Sequence, residues 1–195
     1  MKKLGGNVIK KNIAVFISGR GSNLKSIIRH SKKKDASYEV KIVISNKRDA
    51  KGLIIAKKYK ITHFVCNPTK SRKLGKIILK KLQKDNVNLI CLAGFMKILP
   101  EYFIKSFKGK IINIHPSLLP KYKGLNTHQR VLLNNEKFSG CTVHYVNKFL
   151  DSGKNILQKK VRIKKNETTK SLEKKILKIE HKIYPEAIIK VLTNL

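Results

Sequence analysis

The run Ile13-Ala14-Val15-Phe16-Ile17 is apolar at every position and opens directly onto Ser18-Gly19-Arg20-Gly21-Ser22-Asn23. A strand that is apolar on both faces must be covered on both, as in a parallel sheet lined by crossover helices. Other short β-branched runs follow at residues 39–45, 64–66, 89–93 and 111–114, and the first extends over 13–18. Amphipathic stretches at 23–29, 53–60 and 72–84 lie between them. That alternation predicts an α/β fold with a mostly parallel sheet and flanking helices. After residue 138 the pattern changes. Residues 142–146 and 156–163 read as a late antiparallel strand pair separated by Leu150-Asp151-Ser152-Gly153. A closing helix starts near residue 169, and Pro185 inside it predicts a kink or break. No repeat, low-complexity linker or composition boundary divides the chain. One domain over 1–195 is expected, with 1–11 as a flexible N-terminal extension.

Composition narrows the class further. At 195 residues and 41% hydrophobic, the chain can bury a substantial core, which argues against intrinsic disorder. No apolar stretch approaches the ~20 residues of a membrane helix, and the first apolar run is too short for a signal-peptide core. A cytoplasmic protein without a membrane partner is expected. Cys66, Cys91 and Cys141 are far apart and form no C-x-x-C pair, so neither a metal site nor a disulfide framework is expected. The charge points elsewhere at first: 45 Lys+Arg against 11 Asp+Glu gives a formal +34. That would suit nucleic acid, but only six of the 45 are Arg, and the Lys residues are dispersed. Lys, Ile and Asn share A/T-rich codons, so the excess reads as base-composition drift; a GC-balanced source genome would overturn that reading. Lys170, Lys174, Lys178 and Lys182 recur at i, i+4, the spacing of a solvated helix face.

Three places can carry chemistry. In Ser18-Gly19-Arg20-Gly21-Ser22-Asn23, glycines between a strand and a helix let the backbone approach a ligand, and the helix start offers free N–H groups to an anion. Position 24 is Leu, so the dinucleotide fingerprint fails at its third glycine. A plain turn explains a lone G-x-G as well; Ser22 and Asn23, which can cap or hydrogen-bond, favour a phosphate monoester. The second place is Asn113-Ile114-His115-Pro116. Residues two apart on a strand share a face, and Pro116 puts this polar pair at the strand's end, where open α/β sheets present ligands. A hydrogen-bonded structural pair is the alternative. The third is Asp151, which reads as a turn residue unless the fold brings it to His115.

Together these segments resemble the phosphoribosylglycinamide formyltransferase family. The resemblance rests on 17–24 (Ile-Ser-Gly-Arg-Gly-Ser-Asn-Leu), 92–99 (Leu-Ala-Gly-Phe-Met-Lys-Ile-Leu) and 113–122 (Asn-Ile-His-Pro-Ser-Leu-Leu-Pro-Lys-Tyr). It continues through 142–146 (Thr-Val-His-Tyr-Val), 150–153 (Leu-Asp-Ser-Gly) and 180–185 (Glu-His-Lys-Ile-Tyr-Pro), in family order from about residue 12 to the C-terminus. The resemblance implies a single-domain formyltransferase-type fold with a Rossmann-like sheet. It implies transfer of the formyl group of 10-formyltetrahydrofolate to the amine of glycinamide ribonucleotide, in purine (IMP) biosynthesis. It also implies a catalytic trio of Asn113, His115 and Asp151. Substrate contacts fall on Gly19, Arg20, Gly21, Ser22, Asn23 and Glu180. Folate contacts fall on Arg72, Leu92, Phe95, Met96, Lys97, Ile98, Leu99, Asn113 and His144, with the folate as co-substrate and no metal. The partners are then small molecules, and the chain a monomer or homodimer. Asn113 and a protonated His115 would donate to the oxygen that gains charge, and Asp151 would favour the imidazolium and take the amine's proton.

Three departures from the family pattern bear on loop rigidity and substrate affinity: Ser152 where Gly is usual, Lys123 where Pro is usual, and Asn126 where His is frequent. Three other readings compete. A methionyl-tRNA formyltransferase would give the charge a partner, but 195 residues leave no room for that family's further tRNA-contacting domain. A formyltetrahydrofolate hydrolase is expected to carry an extra N-terminal domain. A non-enzymatic nucleic-acid-binding protein on this scaffold should show clustered Arg and interleaved aromatic residues, which the sequence lacks.

Overall fold

The computed structural model describes residues 10–195. The first half runs β1 (Lys11–Ile17), α1 (Ser22–Ser31), β2 (Tyr38–Ser45), α2 (Lys51–Lys58), β3 (Thr62–Val65) and α3 (Arg72–Lys84). There follow β4 (Val87–Leu92), α4 (Glu101–Ser106), β5 (Lys110–His115), α5 (Thr127–Leu133), β6 (Phe138–Tyr145), β7 (Asn155–Arg162) and α6 (Thr169–Thr193). The seven strands form one sheet in the order β3-β2-β1-β4-β5-β6-β7. β1 to β5 are parallel, and β6 runs antiparallel to both β5 and β7. The chain winds outward from β1 to β3, then returns to β1's other side with β4. The order therefore reverses between β1 and β4, and a crevice opens there at the carboxyl ends of the strands.

The continuous apolar run of β1 serves two cores. Ile13, Val15 and Ile17 pack with α1 and α6, while Ala14 and Phe16 pack with α3 and α4. All five side chains are fully buried. Tyr184 of α6 extends this packing to the strand ends, donating its hydroxyl to Leu92 O at 2.8 Å. Such a bond lets a buried phenol sit in the core without losing a partner. β3 is the sheet edge, exposed at all four residues, so no packed side chain fixes its ends, and it lies at 62–65 rather than 64–66. The short α4 and α5 were not expected, because six or seven residues are too few for a helical period to show. Of the expected extension over 1–11, residues 1–9 lie outside the described residues. Lys11 is not part of a free arm but begins β1, paired with Tyr38.

Helix α6 corrects the expectation at Pro185. The helix continues without interruption to Thr193, with Pro185 buried inside it. A proline leaves the carbonyl four residues earlier without its donor. Here the orphan is His181 O, and the Ser26 hydroxyl of α1 donates to it at 2.5 Å. Leu172, Ile176, Ile183, Tyr184, Ala187 and Ile188 form the buried stripe, and Glu180 stands within it. Lys170, Lys174, Lys178 and Lys182 are exposed, the solvated column expected from their spacing. A Thr168–Ser171 capping box starts the helix. Among the described residues no helix is long and apolar enough to cross a membrane.

Candidate active site

The glycine loop follows from close packing against α2. Gly21 occupies the N-cap position of α1 at φ +74, and a Cβ there would lie 2.6 Å from Gly52 Cα. Only glycine meets both demands. Gly52 donates its N–H to Gly19 O at 3.0 Å, fixing the loop's other side. No side chain caps α1, so its first N–H groups face the crevice unclaimed by a cap. Ser18 latches the loop to the neighbouring strand end: its hydroxyl donates to Asn46 Oδ1 at 2.5 Å and accepts the Met96 N–H at 2.8 Å. Arg20 pairs with Glu173 of α6. Asn23 does not turn toward the loop; its side chain is buried and donates to Glu180 Oε2 at 2.7 Å.

The second group forms at the end of β5. Asn113 and His115 share a face, and the antiparallel register sets His144 opposite Asn113. Asp151 enters from the β6–β7 connection in a left-handed conformation, φ +46. Its Oδ2 stands 3.3 Å from His115 Nδ1 and accepts the Gly124 N–H at 2.9 Å. Its Oδ1 lies 3.5 Å from Asn113 Nδ2 and 3.6 Å from His144 Nε2. His115 and Asp151 thus meet, although 36 positions separate them.

The network assigns protons. His144 Nδ1 faces Tyr145 O at 2.9 Å, so it carries the hydrogen, and Nε2 accepts from Asn113 Nδ2 at 3.1 Å. The opposite amide orientation would aim Asn113 Oδ1 at the Asp151 carboxylate. His115 Nε2 faces Tyr122 O at 2.9 Å while Nδ1 faces the carboxylate. Both ring nitrogens therefore point at acceptors, and only the imidazolium satisfies both. Burial opposes that charge and holds the His115 pKa below its ordinary value, against the pull of Tyr122 O and Asp151. For Asp151, burial pushes upward, but the Gly124 N–H and the charge of His115 oppose it, and its carboxyl lies below the usual range. The carboxylate is the resting form.

The departures from the family pattern are absorbed locally. At the Asp151 turn, glycine is needed at Gly153, where a Cβ would lie 1.7 Å from Tyr145 O. Ser152 needs no such freedom; its hydroxyl donates to Asn147 Oδ1 at 3.0 Å. Lys123 O accepts from Arg130 Nη1 at 2.6 Å, which ties down the loop where proline is usual. Asn126 sits at φ +56 before α5, a conformation asparagine tolerates well.

The remaining expected residues divide by location. Arg72 opens α3 with its guanidinium over the Tyr102 ring, 5.3 Å from the centroid. In the β4–α4 connection Leu92, Phe95 and Leu99 are buried in the second core, whereas Lys97 and, at about 60%, Met96 and Ile98 are exposed. Glu180 touches Asn23 and not the Asn113–His115–Asp151 group. Tyr122, Gly124, Ser18 and Asn46 were not expected as site residues. All four act through backbone atoms or a latch, for which the sequence carries no signal beyond a strand-end serine and a loop glycine. Among the described residues no group of three His, Cys, Asp or Glu side chains is placed to hold a metal ion.

A polar trio at the carboxyl end of β5 and a glycine loop leading into α1, both on the ligand-presenting side of one sheet, form the site of an α/β enzyme. The formyl transferase family matches residues 11–188, and the chain belongs to that family. It is 44% identical to the phosphoribosylglycinamide formyltransferase of Haemophilus influenzae, over 91% of this chain and 85% of that one. Against the Bacillus subtilis enzyme of the same name the identity is 35%, covering 93% and 95%. It is also 40% identical to the human trifunctional purine biosynthetic protein adenosine-3, of whose length it spans 18%. Among solved structures, phosphoribosylglycinamide formyltransferase from Anaplasma phagocytophilum superposes with a TM-score of 0.85 at 42% identity, over 91% of this chain and 84% of that one. Glycinamide ribonucleotide transformylase 1 from Symbiobacterium toebii gives 0.88 at 36%, over 96% and 90%.

Proposed function

We propose that this protein transfers the formyl group of 10-formyltetrahydrofolate to the amine of glycinamide ribonucleotide, a step of purine biosynthesis. The observation that carries this reading is the convergence of Asn113, His115 and Asp151 at the carboxyl end of β5, on the same side of the sheet as the open N-terminus of α1. The N–H groups of Ser22 and Asn23 at that helix start would bind the nucleotide's phosphate. A cleft of about 380 Å³ runs past Asp151 between Leu119, Pro120 and Asn155, with Lys123 and Lys154 at its side. Exposed Met96, Ile98, Phe149 and Leu150 offer apolar faces to a flat ring system, and the two lysines suit carboxylates. These residues fit a folate.

When bound, the folate supplies an electrophilic formyl carbon. Asn113 spends one amide hydrogen on His144; the other reaches Asp151 only at 3.5 Å, a weak bond that the formyl oxygen can replace. His115 adds a second donor as negative charge develops on that oxygen, by giving up the longer of its two contacts, the 3.3 Å one from Nδ1 to Asp151. Asp151, ionised at rest, accepts the proton that the amine loses on attack, and that proton passes to the folate nitrogen as its bond to the formyl carbon breaks, giving tetrahydrofolate. Holding amine and formyl carbon in register supplies a large share of the rate. The test is formyl transfer with purified protein, both substrates, and His115→Ala alongside. Absence of turnover in wild type, or full activity in the variant, would remove the reading.

A further inference from the structure

Asn23 is the second residue of α1, where an asparagine side chain ordinarily reaches for solvent or for a ligand at the helix start. Here it does neither. The side chain is buried, Nδ2 donates to Glu180 Oε2 at 2.7 Å, and Oδ1 is buried with no partner. An unpaired buried acceptor is costly, so the amide is kept for the bond that its nitrogen makes. Glu180 is equally anomalous, as the one carboxylate in the buried stripe of α6. Its Oε1 accepts no hydrogen bond from any described residue, and Asn23 is the one described donor to Oε2.

We propose that Asn23 is a positioning residue whose side-chain amide fixes Glu180 for the sugar–amine part of the nucleotide, while its backbone N–H remains with the phosphate. One residue thereby ties the two halves of the nucleotide site together. This rests on the proposed function and changes the role expected of Asn23: its side chain is not a phosphate ligand. The surroundings of Glu180 explain why a neutral amide is needed. Burial pushes its carboxyl up, Asn23 pulls it back, and Glu173 on the same helix adds to the rise. The other titratable groups near it are Cys141 of β6 and Tyr184 of α6, both of which its charge disfavours ionising, with His128 of α5 facing Glu173. Among the described residues no cation pairs with Glu180. An aspartate at position 23 would add a like charge, and an apolar residue would leave the carboxylate unheld.

The experiment combines Asn23→Ala, Asn23→Asp and Glu180→Gln. In Asn23→Ala the KM for glycinamide ribonucleotide should rise about tenfold, the loss expected for a hydrogen bond to a charged group. Inorganic phosphate affinity, measured by calorimetry, should stay within about twofold because the backbone donors remain. The Glu180 carboxyl, followed by a 13C label, should titrate higher in Asn23→Ala than in wild type and higher still in Asn23→Asp. Adding Asn23→Ala to Glu180→Gln should cost less than about twofold more, since the two act as a unit. Phosphate affinity falling in step with KM, or an unmoved Glu180 titration, would overturn the proposal. Phosphate binding and the carboxyl titration need no turnover, so they separate this result from failure of the formyl-transfer reading.

Discussion

Replacing Asp151 by asparagine tests the catalytic group with little change of shape. Oδ2 carries two partners, Gly124 N–H at 2.9 Å and His115 Nδ1 at 3.3 Å, and an amide oxygen in the same place can still accept from both. The amide nitrogen then falls at Oδ1, 3.6 Å from His144 Nε2, where it gives up only the weak 3.5 Å bond from Asn113. The site should stay assembled while the charge disappears. Two losses follow. The residue proposed to take the amine's proton no longer can, a contribution of about 10²–10⁴ in rate. In addition, the carboxylate 3.3 Å from Nδ1 favours the imidazolium, and that support is lost. Burial already holds His115 below its ordinary value, so removing Asp151 lowers it further and thins the imidazolium at neutral pH.

The expected result is a fall in kcat of about 100-fold or more, with KM for both substrates changed by less than about threefold. His115, followed by its imidazole NMR signals, should titrate lower in the variant. A further sign is the acid limb of kcat. Because Asp151 titrates below the usual carboxylate range, the wild-type limb should lie at low pH, and in the variant it should disappear. Activity within tenfold of wild type, or an imidazole titration that does not move, would refute both the base assignment and the electrostatic coupling.

Three further outcomes are expected. Ser26→Ala removes the donor to His181 O and should destabilise the protein by about 1–2 kcal/mol, seen as a lower urea midpoint with unchanged kcat; an unmoved midpoint would mean Pro185 is tolerated for another reason. Gly21→Ala sets a Cβ against Gly52 at a positive φ and should cost about 2 kcal/mol or more, with phosphate affinity lost as well; a stable variant with native affinity would show that the loop can shift. Glu167, bonded by the Ser171 hydroxyl and by Lys175, has its carboxyl pushed down to about 2. A depressed carboxyl stabilises the fold above its unfolded pKa and loses that contribution as pH falls through the folded one. The acid side of the stability–pH curve should therefore be flatter in Glu167→Gln between about pH 4.5 and 2, and an unchanged slope in acid titration would refute it.

The parallel layers were legible because burial on two faces leaves an unmistakable mark: no polar residue interrupts residues 13–17. The edge strand β3 and the six- and seven-residue helices were less so, since neither has a packed period long enough to read. Pro185 misled for a different reason. The local rule is sound, and the free carbonyl it predicts is present, but the remedy comes from Ser26, 159 positions earlier. Compensation from a distant element has no local signature.

The site shows the same division between what a strand dictates and what tertiary contacts supply. Asn113 and His115 were legible as a pair because their two-residue spacing puts them on one face. That His144 stands opposite Asn113 depends on the β5–β6 register, and that Asp151 meets His115 depends on the turn at Gly153. The orientation of the Asn113 amide is set by neither residue type nor spacing. It follows from a chain of assignments: Tyr145 O fixes the proton on His144 Nδ1, which leaves Nε2 to accept, which turns the Asn113 nitrogen inward beside Asp151. His144 is thus more than a buried histidine with satisfied nitrogens. A residue there that donated instead of accepting would press Asn113 to reverse its amide and withdraw the donor offered to the formyl oxygen.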